Sequence, residues 1–413
     1  MSKKRIAGFI FKNTFTYLDH IAPLCSLLKI PIILTDSKII NLTKDFYPNL
    51  KILNYPDYCS IYKFLWNNYN IIFSCHILCV DQRHNITEIF TEEFLTSLNP
   101  EAKSGKKIFK VLFQENQEQL LKDEKKMKKK LSTIWLPHGH SDKGFGNKMF
   151  KALKEEKIYM VYGKKMLESI KSQNNFCNDK NKIYLGDYRF FYYQKNKIFY
   201  DQLINKITKK LNKKNKTILY APTWDDYEDS STFLEVVDIL IKKLPKKYNL
   251  IIKPHPNTFF QHRIKIESLI SECENIKNIL VLLTFTPINP LLNFCDIYLG
   301  DHSSIGYDFL KFNKPMFFLN KKNKNHMTDP SFYLFRCGYE ILPNNYDKIY
   351  EIIEKNFLKT KKQFSSIKKN IYKQTFSKTP NFSKLLTKIK LTLSQIHKEE
   401  EQKLILNLLN SKK

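Results

Sequence analysis

Glycine is scarce in this chain, 10 in 413 residues, which argues against a flexible or repetitive architecture. Long apolar runs are missing as well: none approaches the roughly 18 residues of a spanning helix. The apolar stretch 6–11 behind Met1-Ser2-Lys3-Lys4-Arg5 is too brief for a signal-peptide core, so any membrane contact is expected to be peripheral. The 8 cysteines (Cys25, Cys59, Cys75, Cys79, Cys177, Cys273, Cys295, Cys337) stand apart among mostly apolar neighbours, as buried free thiols in a reducing cytosol do. Cys75-His76-Ile77-Leu78-Cys79 lacks the second ligand pair of a zinc site. Acidic residues are outnumbered, 40 against 69 Lys and Arg, leaving a formal charge of +29. Such an excess attracts nucleic acid, anionic lipid or phosphate-rich substrates. Most of it is lysine scattered among Asn and Ile, which a biased codon supply also produces, so charge alone names no partner. The run Lys125, Lys126, Lys128, Lys129, Lys130 reads as a solvated helix face.

What is present describes a globular protein with two cores: 42% hydrophobic and 14% aromatic residues over a length that exceeds one ordinary domain. Short β-branched or aromatic runs recur at 5–11, 31–34, 71–73, 110–113, 134–136 and 158–162, separated in several places by stretches of helical length. This alternation predicts parallel β/α units. After a basic break containing Lys206, Lys209, Lys210, Lys213, Lys214 and Lys216, the pattern restarts at 217–220, 250–253, 279–283, 296–299 and 315–319. The expected architecture is α/β, with two Rossmann-like lobes over 1–200 and 201–345 and a helical segment over 346–413. Ligands of such sheets sit beyond the carboxyl ends of the strands, which places the site in the cleft between the lobes.

Four segments put phosphate-competent groups just after a predicted strand. In Pro137-His138-Gly139-His140-Ser141-Asp142-Lys143-Gly144, the glycines allow close backbone approach and the histidines can take a proton near neutral pH. The His-x-His-x-Asp spacing also resembles part of a metallohydrolase ligand set, but Lys143 stands where its next histidine belongs. Ala221-Pro222-Thr223-Trp224 offers a hydroxyl and a pocket wall. Lys253-Pro254-His255-Pro256 holds a cation and an imidazole between prolines that fix the backbone. In Gly300-Asp301-His302-Ser303-Ser304, a strand ends and a serine can cap a helix whose face is Ile305, Phe309 and Phe312. The free amides of that helix start are expected to bind phosphate, with Ser304 and Asp308 one turn apart on one ligand. The plain alternative for each is an ordinary turn or strand–helix junction; the functional reading is preferred for the first, third and fourth, while the second carries little by itself.

Taken in order, the four segments resemble the motif series of the CDP-glycerol glycerophosphotransferase family of teichoic-acid primases and polymerases. The family's His-Gly-Thr-Pro, Ala-Pro-Thr-Trp, Arg-Pro-His-Pro and Thr-Asp-Tyr-Ser-Ser stretches read here as His138-Gly139-His140-Ser141, Ala221-Pro222-Thr223-Trp224, Lys253-Pro254-His255-Pro256 and Gly300-Asp301-His302-Ser303-Ser304. Three departures stand out: His140-Ser141 for Thr-Pro, Asp225 where a basic residue commonly follows the tryptophan, and His302 for tyrosine. The resemblance implies a GT-B fold with an acceptor-side first lobe and a donor-binding second lobe. It also implies transfer of a polyol phosphate from a CDP-activated donor to an acceptor hydroxyl, the acceptor lipid-linked or otherwise. His138 would act as base. Thr223, Trp224, Lys253, His255, Ser303 and Ser304 would surround the diphosphate, Asp301 and Asp308 would meet ribose or polyol, and Gly139 and His140 would line the acceptor loop. Fixed cations make a cofactor unnecessary, although Mg²⁺ is compatible. No specific nucleic-acid partner is expected, and the place implied is the cytoplasm, peripheral at the inner face of an anionic membrane. A GT-B glycosyltransferase using a UDP- or CMP-sugar and a non-catalytic polyanion binder stay open as alternatives.

Overall fold

The computed structural model describes residues 5–11, 14–57, 61–76, 131–143, 153, 156, 158–173, 182–226 and 228–410. The expected strand at 110–113, the lysine run 125–130, Cys59, Cys79, Cys177 and Gly144 lie outside the described residues.

Two wholly parallel sheets organise the chain. The first holds β1 (Ile6–Ile10), β2 (Ile32–Leu34), β3 (Ile52–Asn54), β4 (Ile71–Ser74), β5 (Ser132–Trp135), β6 (Ile158–Val161) and β7 (Lys182–Tyr184), in the order β3-β2-β1-β4-β5-β6-β7. The second holds β8 (Lys216–Ala221), β9 (Tyr248–Ile252), β10 (Ile279–Val281), β11 (Ile297–Gly300), β12 (Met316–Leu319) and β13 (Tyr339–Ile341), in the order β10-β9-β8-β11-β12-β13. Strands buried on both faces need apolar side chains in both directions, and β1, β4, β9 and β12 are accordingly buried at every residue. In-register pairs such as Ile6 with Ile71 and Gly300 with Ala221 bring the strand ends level.

Alternation assigns side chains to the two faces of each sheet. In the second lobe, Ile218, Tyr220, Leu250, Ile252, Ile297 and Leu299 form one core with Val236, Val237 and Leu240 of the helix Phe233–Lys242. Leu219, Ile251, Tyr298 and Phe318 turn the other way, onto Leu291 and Leu292 of the helix Ile288–Phe294. The helix Ile349–Gln363 joins the former core through Ile349 and Ile353. The last helix, Phe382–Asn410, instead returns to the first lobe, where Phe382, Leu385, Ile389 and Leu393 pack in one core with Leu18, Ile21 and Ile71. Two glycines allow this crossing to pass against the first sheet. A Cβ on Gly163 would stand 2.4 Å from Thr375 O, and one on Gly186, at φ +60°, 2.4 Å from Ser377 O. Among the described residues no helix is long and apolar enough to cross a membrane.

β3, β7 and β13 escaped the sequence pattern. All three are edge strands of three residues with at most one residue buried in each, and Asn54, Lys182 and Glu340 leave no continuous apolar run to recognise.

Candidate active site

Each sheet has a point where the strand order reverses: between β1 and β4 in the first lobe, between β8 and β11 in the second. Crevices beyond the carboxyl ends of strands at such points are where open α/β sheets bind ligands. The loop after β5, residues 137–143, reaches the loops after β8 and β11. A Cβ on Gly139, at φ +139°, would lie 3.0 Å from Ser304 Oγ, so close approach of the lobes requires glycine there. Lys143 donates to Thr223 Oγ1 at 2.6 Å, and the Tyr307 hydroxyl donates to the Asp142 carboxylate at 2.6 Å. His138, Thr223, His255 and Ser304 therefore border one cleft.

His138 is exposed within the cleft, its ring 4.9 Å from that of Tyr17. Protein on both sides desolvates it enough to lower its imidazole to about 4. It is thus neutral and able to accept a proton at pH 7. His255 caps the helix Pro256–Gln261: its Nδ1 accepts the Asn257 N–H at 3.1 Å. A neutral ring with Nδ1 accepting carries its proton on Nε2, so His255 presents a donor rather than a base. Burial, then Lys143 and Lys253, hold that imidazole down to about 3. The half-buried Trp224 ring lies 6.2 Å from it. Lys253 is lowered to about 8 by desolvation, and among the described residues no acceptor pairs with its ammonium. A free cation, an N–H donor and hydroxyls at the mouth of a parallel sheet suit a diphosphate.

Several expected site residues take other work. Asp301 is fully buried, accepting from Thr223 N at 2.7 Å and from Thr232 N and Oγ1 at 3.0 Å, so it anchors the Thr223 loop rather than meeting ribose or polyol. Asp308 is buried against Arg189 at 2.6 Å, not paired with Ser304 on one ligand. The helix start is also weaker than its sequence implies. Ile305–Phe309 is five residues long, and Ser304 holds the N-cap position without a side-chain cap bond. Ser303 is buried and Ser304 half-buried beside Gly139. His140 is buried edge-on against Tyr307 at 4.5 Å, and among the described residues neither ring nitrogen has a hydrogen-bond partner. Asp142 accepts from Tyr307, from Leu334 N at 3.0 Å and from Lys165 at 3.0 Å, so the His-x-His-x-Asp set does not converge. Among the described residues no three His, Cys, Asp or Glu side chains are gathered to hold a metal ion.

Three ties between the lobes carried no sequence signal of their own. Arg189, in the helix Tyr188–Lys195, joins Asp19 at 3.1 Å to Asp308 at 2.6 Å. Asp142 joins Lys165 to Tyr307, and Lys143 joins Thr223 and Asp226. Lys143 lies inside the first motif and Asp226 two residues beyond the second, which is the nearest thing to a hint.

Two parallel Rossmann-like lobes with facing switch points define a GT-B-like fold, and the loops that follow β5, β8, β9 and β11 meet at the cleft between them. The family profile for CDP-Glycerol:Poly(glycerophosphate) glycerophosphotransferase matches residues 140–355, just over half of the chain, and the protein belongs to that family. It is 33% identical over 129 residues to the teichoic acid glycerol-phosphate primase of Bacillus subtilis (strain 168), an alignment covering 31% of this chain and 30% of that one. The chain thus matches about a third of that relative's length. The solved wall teichoic acid polymerase TagF superposes with a TM-score of 0.59 at 15% identity, covering 97% of this chain and 90% of that chain. The MnaA-UDP co-structure from S. aureus gives 0.56 at 10% identity, covering 95% and 97% respectively. At these identities the two structures speak for the fold alone.

Proposed function

We propose that the protein transfers glycerol phosphate, or a related polyol phosphate, from a CDP-activated donor to an acceptor hydroxyl, releasing CMP, in the synthesis of a cell-envelope polymer. The observation that carries this is the pairing across one cleft of a neutral, accessible His138 with the free Lys253 cation and the His255 Nε2–H donor. His138 takes the acceptor proton as the alcohol oxygen attacks the β-phosphorus. The bond from that phosphorus to the bridging oxygen breaks, and CMP leaves with the electron pair. Lys253, His255 and the hydroxyls of Thr223 and Ser304 stabilise the charge that accumulates. No cofactor is needed for this sequence of events. The free, buried Cys25, Cys75, Cys273, Cys295 and Cys337 support a cytoplasmic setting.

A ligand panel tests the reading. CDP-glycerol, CDP-ribitol and CMP are expected to raise the melting temperature by mass action at low and high salt alike. A response to UDP-sugars alone indicates the glycosyltransferase alternative, and a response to DNA that salt erases indicates a polyanion binder.

The site also has a characteristic pH dependence. His138 and His255, at about 4 and about 3, stay neutral from pH 6 to 8 and give no limb there. Lys253 is cationic below about 8 and loses its charge as pH rises through that value. One unit higher, about a tenth remains protonated, so the donor KM is expected to climb several-fold between pH 7.5 and about 9 while kcat changes less. Lys253→Arg, whose guanidinium keeps its charge, should abolish that rise in a steady-state pH series.

A further inference from the structure

The loop that carries His138 ends in a lysine whose ammonium leaves its own lobe. Lys143 is buried, and its Nζ donates to Thr223 Oγ1 at 2.6 Å and to the Asp226 carboxylate. Both partners lie in the loop after β8 of the second lobe. Thr223 is otherwise fixed, its N–H donating to Asp301 at 2.7 Å and its carbonyl accepting from Ser231 Oγ at 3.0 Å. A hydroxyl offers one proton and two lone pairs. The oxygen of Thr223 accepts from Lys143, and among the described residues its own proton is donated to none. The charge of Lys143 is met by Asp226, whose other oxygen accepts from Glu228 N and Ser230 Oγ, each at 3.1 Å. The ammonium is therefore already neutralised and does not reach for phosphate as an unpaired cation. It does lie near His255 and His302, both of whose imidazoles it helps to lower.

We propose that Lys143 is a positioning residue: it fixes the Thr223 hydroxyl as a hydrogen-bond donor to the donor's diphosphate, so that the second lobe's phosphate site is complete only with the first lobe docked on it. This rests on the diphosphate-donor reading given above and adds a coupling that reading does not contain. Donor binding and closure of the lobes become one event, because the group that orients Thr223 arrives on the same loop as His138.

A merely structural role makes different predictions. Removing Lys143 alone leaves Asp226 as an uncompensated buried carboxylate, whereas removing both charges lifts that penalty. Lys143→Met should therefore lower the melting temperature, and Lys143→Met with Asp226→Asn should largely restore it. Affinity for inorganic pyrophosphate, read by calorimetry on the full chain, should stay roughly tenfold or more below that of the unmodified protein even in the restored double variant. Thr223→Val alone should give a similar loss, and adding it to Lys143→Met should weaken binding by less than about twofold further, since residues acting through one another do not add. Recovery of pyrophosphate affinity together with the melting temperature would show a structural tie only. Full multiplication of the two losses would show that Lys143 acts independently of Thr223. Either result, or an unmodified protein blind to pyrophosphate, overturns the inference. Unmodified protein that binds pyrophosphate but does not consume CDP-glycerol counts against the donor reading instead.

Discussion

Replacing His138 by alanine is expected to lower turnover roughly 10²–10⁴-fold, the range a positioned general base contributes. The fold should be indifferent to the change. The side chain is exposed in the cleft, and its one described ring contact is a tilted one with Tyr17, centroids 4.9 Å apart. Substitutions at such positions usually change stability by about 0.5 kcal/mol or less, so the melting curve should barely move while the rate collapses. Donor affinity should be kept, because the groups proposed to hold the diphosphate belong to the second lobe. The companion variant separates the two histidines. His255→Asn keeps an acceptor for the Asn257 N–H at the helix start but removes the Nε2–H donor. It should therefore weaken both the donor KM and kcat without the loss of about 1 kcal/mol that an uncapped helix suffers. Turnover that survives in both variants rules out this assignment of the chemistry.

The largest stability effect is expected at Arg189. Its guanidinium is buried between Asp19 and Asp308, whose carboxyls burial already pushes upward while Arg189 pulls them down. Arg189→Met strands the buried carboxylate of Asp308 and the half-buried one of Asp19, and breaking a buried ion pair from one side typically costs about 3–5 kcal/mol. The sign of the pH dependence follows. Without the cation, both folded-state carboxyls rise further above their unfolded values near 3.9, so the penalty is full at pH 7 and recedes as pH falls toward about 4 to 5. Chemical denaturation of the variant at pH 7 and pH 5 should show the smaller deficit at pH 5. Asp19→Asn with Arg189→Met and Asp308→Asn should recover much of the loss, since a whole buried triad can be removed nearly without penalty. Because Asp19 and Arg189 sit beside the first-lobe core and Asp308 on the second-lobe helix Ile305–Phe309, the single variant should also loosen the cleft.

The strands at the centre of each sheet were legible because burial on both faces forces an unbroken apolar run, as in Ile6–Ile10 and Met316–Leu319. The site loops were legible for a related reason: each begins where such a run stops, so Lys253 and His255 follow β9 with no intervening linker. What the lobes do to each other was not legible. A carboxylate placed after a strand looks the same whether it faces a ligand or two backbone amides, and Asp301 turned out to face Thr223 N and Thr232 N. Asp308 is spaced to share a ligand with Ser304, yet a helix from elsewhere in the chain supplies Arg189 to it. Lys143 reads as a substituted ligand until the second lobe is docked, when it becomes the contact to Thr223.

The nucleotide that leaves decides the chemistry most directly. Phosphorus NMR of the purified protein with CDP-glycerol and a short-chain alkyl glycerol phosphate as acceptor should show CMP appearing in step with a new phosphodiester, and neither product with His138→Ala. Consumption of a UDP-sugar with release of UDP, and no reaction with any CDP-polyol, would contradict phosphoryl transfer and place the attack at carbon.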